Sequence, residues 1–236
     1  MNITPDNITI FHWGSFAVNA TLFYTWIVMS ILILGSWWIT RKISSDIPVS
    51  RWQHLLEVVV SALRTQIRET CDEEPSRYMP FIGTLFIFVA VSNLLSIIPG
   101  YHPPTGSLST TTALALCVFV AVPLYGISQQ GLINYLKHYI SPSVFMLPFN
   151  IIGEVSRTLA LAVRLYGNIM AGTMILAILL IVTPFFVPIA MRAFGILIGL
   201  IQAYIFAVLA TVYIASASRA QEEKPQNNES NKKGDA

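Results

Sequence analysis

Apolar residues fall into five long blocks along the chain, at roughly 20 to 40, 80 to 98, 110 to 128, 144 to 182 and 189 to 217, with polar stretches between them. A helix needs about 20 apolar residues to cross the hydrocarbon core of a bilayer, so each block is long enough for one crossing. The fourth block is too long for one upright span. It must tilt strongly, run partly along the membrane surface, or break. A different pattern separates the first two blocks. In "VSRWQHLLEVVVSALRTQIRET", Trp52, Leu55, Leu56, Val59, Leu63 and Ile67 recur at helical spacing, with Arg51, Glu57, Arg64 and Arg68 elsewhere. This predicts an amphipathic helix on a membrane face, serving equally well as a connector on the headgroups or as a contact for a partner subunit.

Lysine and arginine give the orientation, because cytoplasmic loops are enriched in them. Arg41, Lys42, Arg51, Arg64, Arg68 and Arg77 lie between the first and second blocks, Lys137 between the third and fourth, and Arg219, Lys224, Lys232 and Lys233 after the last. The opposite stretches, 1 to 19, 99 to 109 and 183 to 188, carry none. The prediction is an all-α integral membrane protein with five crossings plus a cytoplasmic amphipathic helix, the N-terminus outside and the C-terminus in the cytoplasm. The last two crossings are expected to form a long tilted antiparallel hairpin. Residues 1–19 read as an outer N-terminal segment, 20–219 as a single transmembrane domain, and the polar residues 220–236 as a disordered cytoplasmic tail.

Composition agrees with this picture. The chain has 236 residues, 54% of them hydrophobic and 11% charged, and a mean hydropathy of +0.63. Soluble domains carry roughly 25% charged residues. The net charge of +2 is too small to argue for nucleic acid, and none is expected as a partner. Cys71 and Cys117 sit in a polar and an apolar stretch without metal-ligand spacing, so neither a disulfide nor a metal site is expected. The first 20 residues lack the basic start of a signal peptide, so the first apolar block is expected to remain as a helix. No internal repeat is visible, which weighs against an inverted-repeat transporter. No GxxxxGK[ST] loop is present, so the chain itself is not expected to do ATP chemistry, and no cofactor is called for.

The candidate chemistry lies in "LAVRLYGNIMAG", residues 161 to 172, where Arg164 stands about midway in the fourth block. A charge at the centre of a membrane helix costs roughly 2.5–3.5 kcal/mol on insertion scales, so it usually faces protein or a wet cavity. Asn168 is one turn away, and Gly167, Ala171 and Gly172 on or beside that face would let another helix approach closely. The last block has a stripe of its own: Gly195, Gly199, Gln202, Phe206, Leu209 and Tyr213. Gln202 needs a hydrogen-bond partner inside the membrane. Either Arg164, across a hairpin, or a structural cross-helix amide contact satisfies that need.

Four blocks together, "PFIGTLFIFVAVSNLLSIIPG", "PPTGSLSTTTALAL", the stretch around Arg164 and "GLIQAYIFAVLATVYIASA", resemble subunit a of the F-type rotary ATP synthases. The resemblance covers most of residues 80 to 218 and implies a stator of the membrane motor, in a bacterial plasma membrane. Its partners would be a ring of c subunits with ion-binding carboxylates, the subunit b peripheral stalk, the soluble ATPase sector and membrane lipid. Arg164 would be the essential charge between two offset aqueous half-channels that conduct protons to and from the ring. Arginine suits that role because it cannot carry the proton itself and its charge favours the ionised carboxylate. By the same resemblance, Asn168 and Gln202 lie next to the arginine and Tyr213 lies near the cytoplasmic end of the last helix. Glu154 is assigned to the cytoplasmic half-channel, although an acid near a helix N-terminus also simply complements the dipole. Asn93 matches a recurring polar site or is structural.

Several positions depart from the family pattern. Thr173 stands where many members carry glutamate, Gly195 where some carry histidine or glutamate, and Ser107 where an aspartate is usual. Arg192, in the outer part of the last block, either snorkels to the headgroups or lines the outer half-channel entrance. A hydroxyl-lined outer path without titratable groups leaves Na⁺ open as the coupling ion. The competing class is a self-contained channel or secondary transporter.

Overall fold

The structure, a computed structural model, describes residues 9–13, 16–41, 51–70, 77–98, 100–131, 146–183 and 187–219. Among the described residues six α-helices follow a short strand pair. They are α1 (Ala20–Thr40), α2 (Arg51–Thr70), α3 (Met79–Leu94), α4 (Leu108–Gln130), α5 (Met146–Val182) and α6 (Val187–Arg219). Five of them, all but α2, are long and apolar enough to cross a membrane, as the apolar blocks predict. The expected tail at 220–236, Lys137 and Cys71 lie outside the described residues.

The strand pair is an addition to the all-helical reading. β1 (Thr9–Trp13) and β2 (Phe16–Asn19) run antiparallel, with His12 opposite Ala17 and Trp13 opposite Phe16. β2 then leads directly into α1.

Two 3₁₀ turns, Leu95–Ile97 and Pro104–Gly106, carry the chain from α3 to α4. Gly131, at φ 77°, ends α4 by donating its N–H to the Ile127 carbonyl. That left-handed backbone is one glycine adopts without a Cβ penalty. α3, α4, α5 and α6 pack on one another, and the core between them holds Ile82, Phe88 and Val89 of α3, Ala115 and Val118 of α4, Leu161 and Leu165 of α5, and Phe206 and Ala210 of α6. At 1.5 Å per residue α5 is about 55 Å long and α6 about 50 Å, against a hydrocarbon core of about 30 Å. They form a hairpin: Arg157 near the start of α5 reaches Tyr213 near the end of α6.

α2 does more than lie beside the bundle. Leu63 and Ile67 are buried in the common core, and the Tyr204 hydroxyl of α6 donates a hydrogen bond to the side-chain Oε1 of Gln66. The C-terminal part of the apolar stripe, Val59, Leu63 and Ile67, thus packs against its own chain.

Candidate functional site

α5 turns one side to the bundle and leaves the other open. Leu161, Ala162 and Leu165 are buried, whereas Arg157, Ala160, Arg164, Ala171, Ile175 and Ile178, which share a face by steps of three, four or seven, are exposed. Only 6% of its most apolar window is buried, against 33% for the corresponding windows of α3, α4 and α6. Arg164 therefore stands on the least covered membrane helix of the chain. Among the described residues no hydrogen bond or ion pair reaches it. A Cβ placed on Gly167 or Gly172 would meet nothing within 4 Å, so the small residues around Arg164 are not filled by this chain's own side chains. α6 continues the open surface with Phe194, Leu197, Ile201 and Tyr204, each about half exposed.

Gln202 takes the opposite environment. It is 7% exposed on the inner edge of α6, and no hydrogen bond joins it to Arg164 among the described residues. Asn168 is half-buried one turn beyond the arginine.

Asn93 proves to be an organising residue. It is buried, its Nδ2 donates to the Gly199 carbonyl at 3.0 Å, and its Oδ1 accepts from Thr105 Oγ1 at 3.3 Å. One amide thereby ties α3 to α6 and to the Pro104–Gly106 turn. Gly199 allows this approach, because a Cβ there would lie 2.9 Å from Asn93 Cβ. Gly106 allows the next one: a Cβ on it would lie 3.2 Å from Ile169 Cγ2 of α5. Around this knot a group of hydroxyls is buried. Ser92, Thr105, Ser107 and Thr111 are all fully or almost fully enclosed, and Thr111 Oγ1 donates to the Ser107 and Leu108 carbonyls. Ser107 Oγ is 2.6 Å from Ser109 Oγ, and the Ser92 hydroxyl has no partner among the described residues.

Nearby, Tyr24 donates to the Gly100 carbonyl at 3.0 Å and meets the Tyr101 ring edge-on at 5.0 Å. Burial, with Tyr24 beside it, pushes the Tyr101 phenol well above the usual range and keeps it protonated. Thr173 is exposed and donates within its own helix, to the Met170 carbonyl at 2.9 Å. Arg192 donates to the Ser96 carbonyl at 3.3 Å, in the 3₁₀ turn that follows α3. It supplies a donor, and a positive charge, where the carbonyls of a helix end lack partners.

At the other end of the bundle, where the arginines cluster, α4, α5 and α6 enclose a cavity of about 20 Å³, room for about one water. Its polar lining is Glu154, Arg157, Thr158, Tyr213 and Ser216. The Arg157 guanidinium lies over the Tyr213 ring, 5.8 Å from the centroid, a cation–π distance. Sequence reasoning placed Glu154 and Tyr213 but passed over Arg157, although Glu154-x-x-Arg157 spacing puts both on neighbouring faces of one helix turn. Arg157 is also seven residues before Arg164, which sets two arginines on one side of α5 about 10 Å apart along the axis.

The geometry is thus a membrane bundle with Arg164 exposed beside small residues, a hydroxyl-rich knot toward one end and a small charged cavity at the other. The family model described as ATP synthase A chain matches residues 22–215. "ATP synthase subunit a 2" of Acaryochloris marina is 58% identical over 226 residues, 96% of this chain and 97% of that protein. "ATP synthase subunit a" of Albidiferax ferrireducens is 57% identical over 226 residues, and "ATP synthase subunit a 1" of Crocosphaera subtropica 54% over 227, each across 96% of this chain and 98% and 99% of theirs. The chain belongs to the ATP synthase subunit a family and is a multi-pass membrane component of a multisubunit ATP synthase.

Proposed function

We propose that this chain is the stator against which a carboxylate-bearing ring of c subunits turns, with Arg164 as the charge that gates ion transfer. The observation that carries the reading is Arg164 itself: exposed, among small residues, on the least buried membrane helix, with no partner among the described residues of its own chain. Left against lipid, that charge would cost roughly 2.5–3.5 kcal/mol. A ring carboxylate facing it removes the penalty. The arginine in turn favours the ionised carboxylate and so expels its proton. Because arginine stays protonated, it cannot relay the proton past itself, and its charge repels a cation crossing directly between the two access paths.

The two paths reach Arg164 from opposite ends of the bundle. On the cytoplasmic side, as the Lys/Arg bias orients the chain, the cavity of Glu154, Arg157, Tyr213 and Ser216 offers a carboxylate and a water site. On the outer side the buried hydroxyls near Asn93, those of Ser92, Thr105, Ser107 and Thr111, would line the other path. Asn168 and Gln202 flank the arginine, and Gly167, Ala171 and Gly172 leave room for the passing ring helix. This supports a subunit role over a self-contained channel or transporter, which would need a substrate site enclosed by the chain itself. The b-subunit stalk and the soluble ATPase sector complete the assembly, in the bacterial plasma membrane.

Cysteine pairs test the docking face. In the assembled complex, Ala171→Cys is expected to form a disulfide with a cysteine placed beside the carboxylate on the ring helix, and the inward-facing Leu165→Cys is not. Linkage through position 165 alone would overturn the proposal.

One observation favours Na⁺ as the alternative ion. Thr173, Gly195 and Ser107 leave the outer path lined by hydroxyls instead of titratable groups, and a hydrated cation needs no proton relay. ATP hydrolysis by the complex at alkaline pH would then depend on Na⁺. Hydrolysis and pumping indifferent to Na⁺ would refute this alternative and leave the proton reading standing.

A further inference from the structure

A second site lies away from the Arg164 face. Between the start of α3 and the cytoplasmic half of α4 runs an open cavity of about 670 Å³. Phe81, Leu116, Val120 and Leu124 give it apolar walls, and Tyr125 and Ser128 close its end. At that end the Arg77 guanidinium donates through Nη2 to Ser128 Oγ at 2.9 Å. The geometry points to a bound glycerophospholipid, with one acyl chain in the groove and the phosphate on Arg77.

Length is the first argument. From Leu116 to Ser128 the helix rises about 18 Å, close to the depth of one leaflet of a hydrocarbon core about 30 Å thick. The groove therefore begins near the bilayer middle and ends near a headgroup level. A transmembrane helix from another subunit would need a trough across the whole bilayer, whereas this one spans half of it. The second argument is the chemistry of its mouth. Arginine presents five donors in a planar fork that matches phosphate oxygens, and the bond to Ser128, its one side-chain hydrogen bond among the described residues, holds that fork over the groove. Arg77 is exposed, outside the spans on the side where headgroups lie. The third argument is the floor. Tyr125 meets Tyr78 edge-on at 5.1 Å and Phe81 at 6.1 Å, so the aromatic end of the groove is fixed by packing. Tyrosine is the residue type that sits at the membrane–water boundary.

Cys117, exposed and one of the groove's lining residues, reports on occupancy. The complex is purified, stripped of lipid in detergent, and treated with a small apolar maleimide; alkylation of Cys117 is followed by mass spectrometry of this chain. Stripping is expected to raise the alkylation rate, and adding back palmitoyl-oleoyl phosphatidylglycerol to lower it in a saturable way. In Arg77→Gln the concentration for half protection should rise about tenfold or more, the loss expected when a charge-assisted bond to phosphate is removed. Val120→Phe, which fills the groove and keeps Arg77, should abolish lipid-dependent protection while ATP-driven pumping persists. A Cys117 that stays unreactive in the stripped complex means a protein helix covers the groove, and this would overturn the proposal. Protection by lipid with equal affinity in wild type and Arg77→Gln would overturn the phosphate contact.

Discussion

Gly199→Ala tests the knot that holds α3 to α6. The new methyl carbon would stand 2.9 Å from both Asn93 Cβ and Cγ and 3.1 Å from Nδ2, whereas carbon pairs prefer about 3.5–4.0 Å. Rotating the Asn93 side chain relieves the outer two contacts but cannot move Cβ, so the helices must part by several tenths of an ångström. Overpacking of this kind costs typically about 1–3 kcal/mol. The separation also strains the Asn93–Gly199 and Thr105–Asn93 hydrogen bonds, each contributing about 1 kcal/mol net. The total expected is about 2–4 kcal/mol. The assay is a temperature ramp of the purified complex, scoring when this chain unfolds or is released, for Gly199→Ala alone and combined with Asn93→Ala or Asn93→Gly. Asn93→Gly removes the offending Cβ as well as the strained hydrogen bonds and should bring its double variant furthest below the sum of its parts; Asn93→Ala removes the amide but keeps Cβ and should bring only part of that relief. Wild-type stability for Gly199→Ala, or equal rescue by both partners, would refute the close approach.

Further outcomes follow from single contacts. Arg192→Ala removes a donor from the Ser96 carbonyl and should destabilise by about 0.5–1.5 kcal/mol, with Arg192→Gln milder; equal effects in the same ramp would count against the cap. Tyr213→Phe keeps the ring under Arg157 and should preserve ATP-driven pumping better than Tyr213→Ala, the cation–π contact being worth about 0.5–1 kcal/mol. If the pumping rates of these two variants match, the ring is not what positions Arg157. Tyr204→Phe removes the bond to Gln66, so amides of the C-terminal half of α2 should exchange hydrogen faster in the complex; unchanged exchange would mean that this bond does not help to hold the helix.

The membrane helices were legible because each is an apolar run of fixed minimum length, and the predicted blocks differ from α1, α4, α5 and α6 by no more than two residues at either end. α3 stops earlier than its block because Leu95–Ile97 tightens into a 3₁₀ turn. Which face of a helix turns inward was much less legible. In a bilayer Leu161 facing protein and Val163 facing outward are equally apolar, so periodicity carries little information and only small or polar residues mark a face. Asn93 and Gly199 were both visible as candidates, but their contact joins residues 106 apart in the chain and needed the fold. Arg157 was there to be read, by its spacing from Glu154 and Arg164. The strand pair escaped because its runs are short, five and four residues. Arg164 was the clearest signal of all, and the chain itself explains it least, since among the described residues no hydrogen bond or ion pair reaches it; the partner proposed for it lies on another polypeptide.

The gate is tested most directly by ion flux through membrane vesicles carrying the complex with Arg164→Ala. If Arg164 both discharges the ring carboxylates and separates the two paths, the complex should assemble, ATP-driven pumping should vanish, and passive ion flux should rise once the soluble sector is stripped away. Pumping at the wild-type rate by a fully assembled Arg164→Ala complex would contradict it.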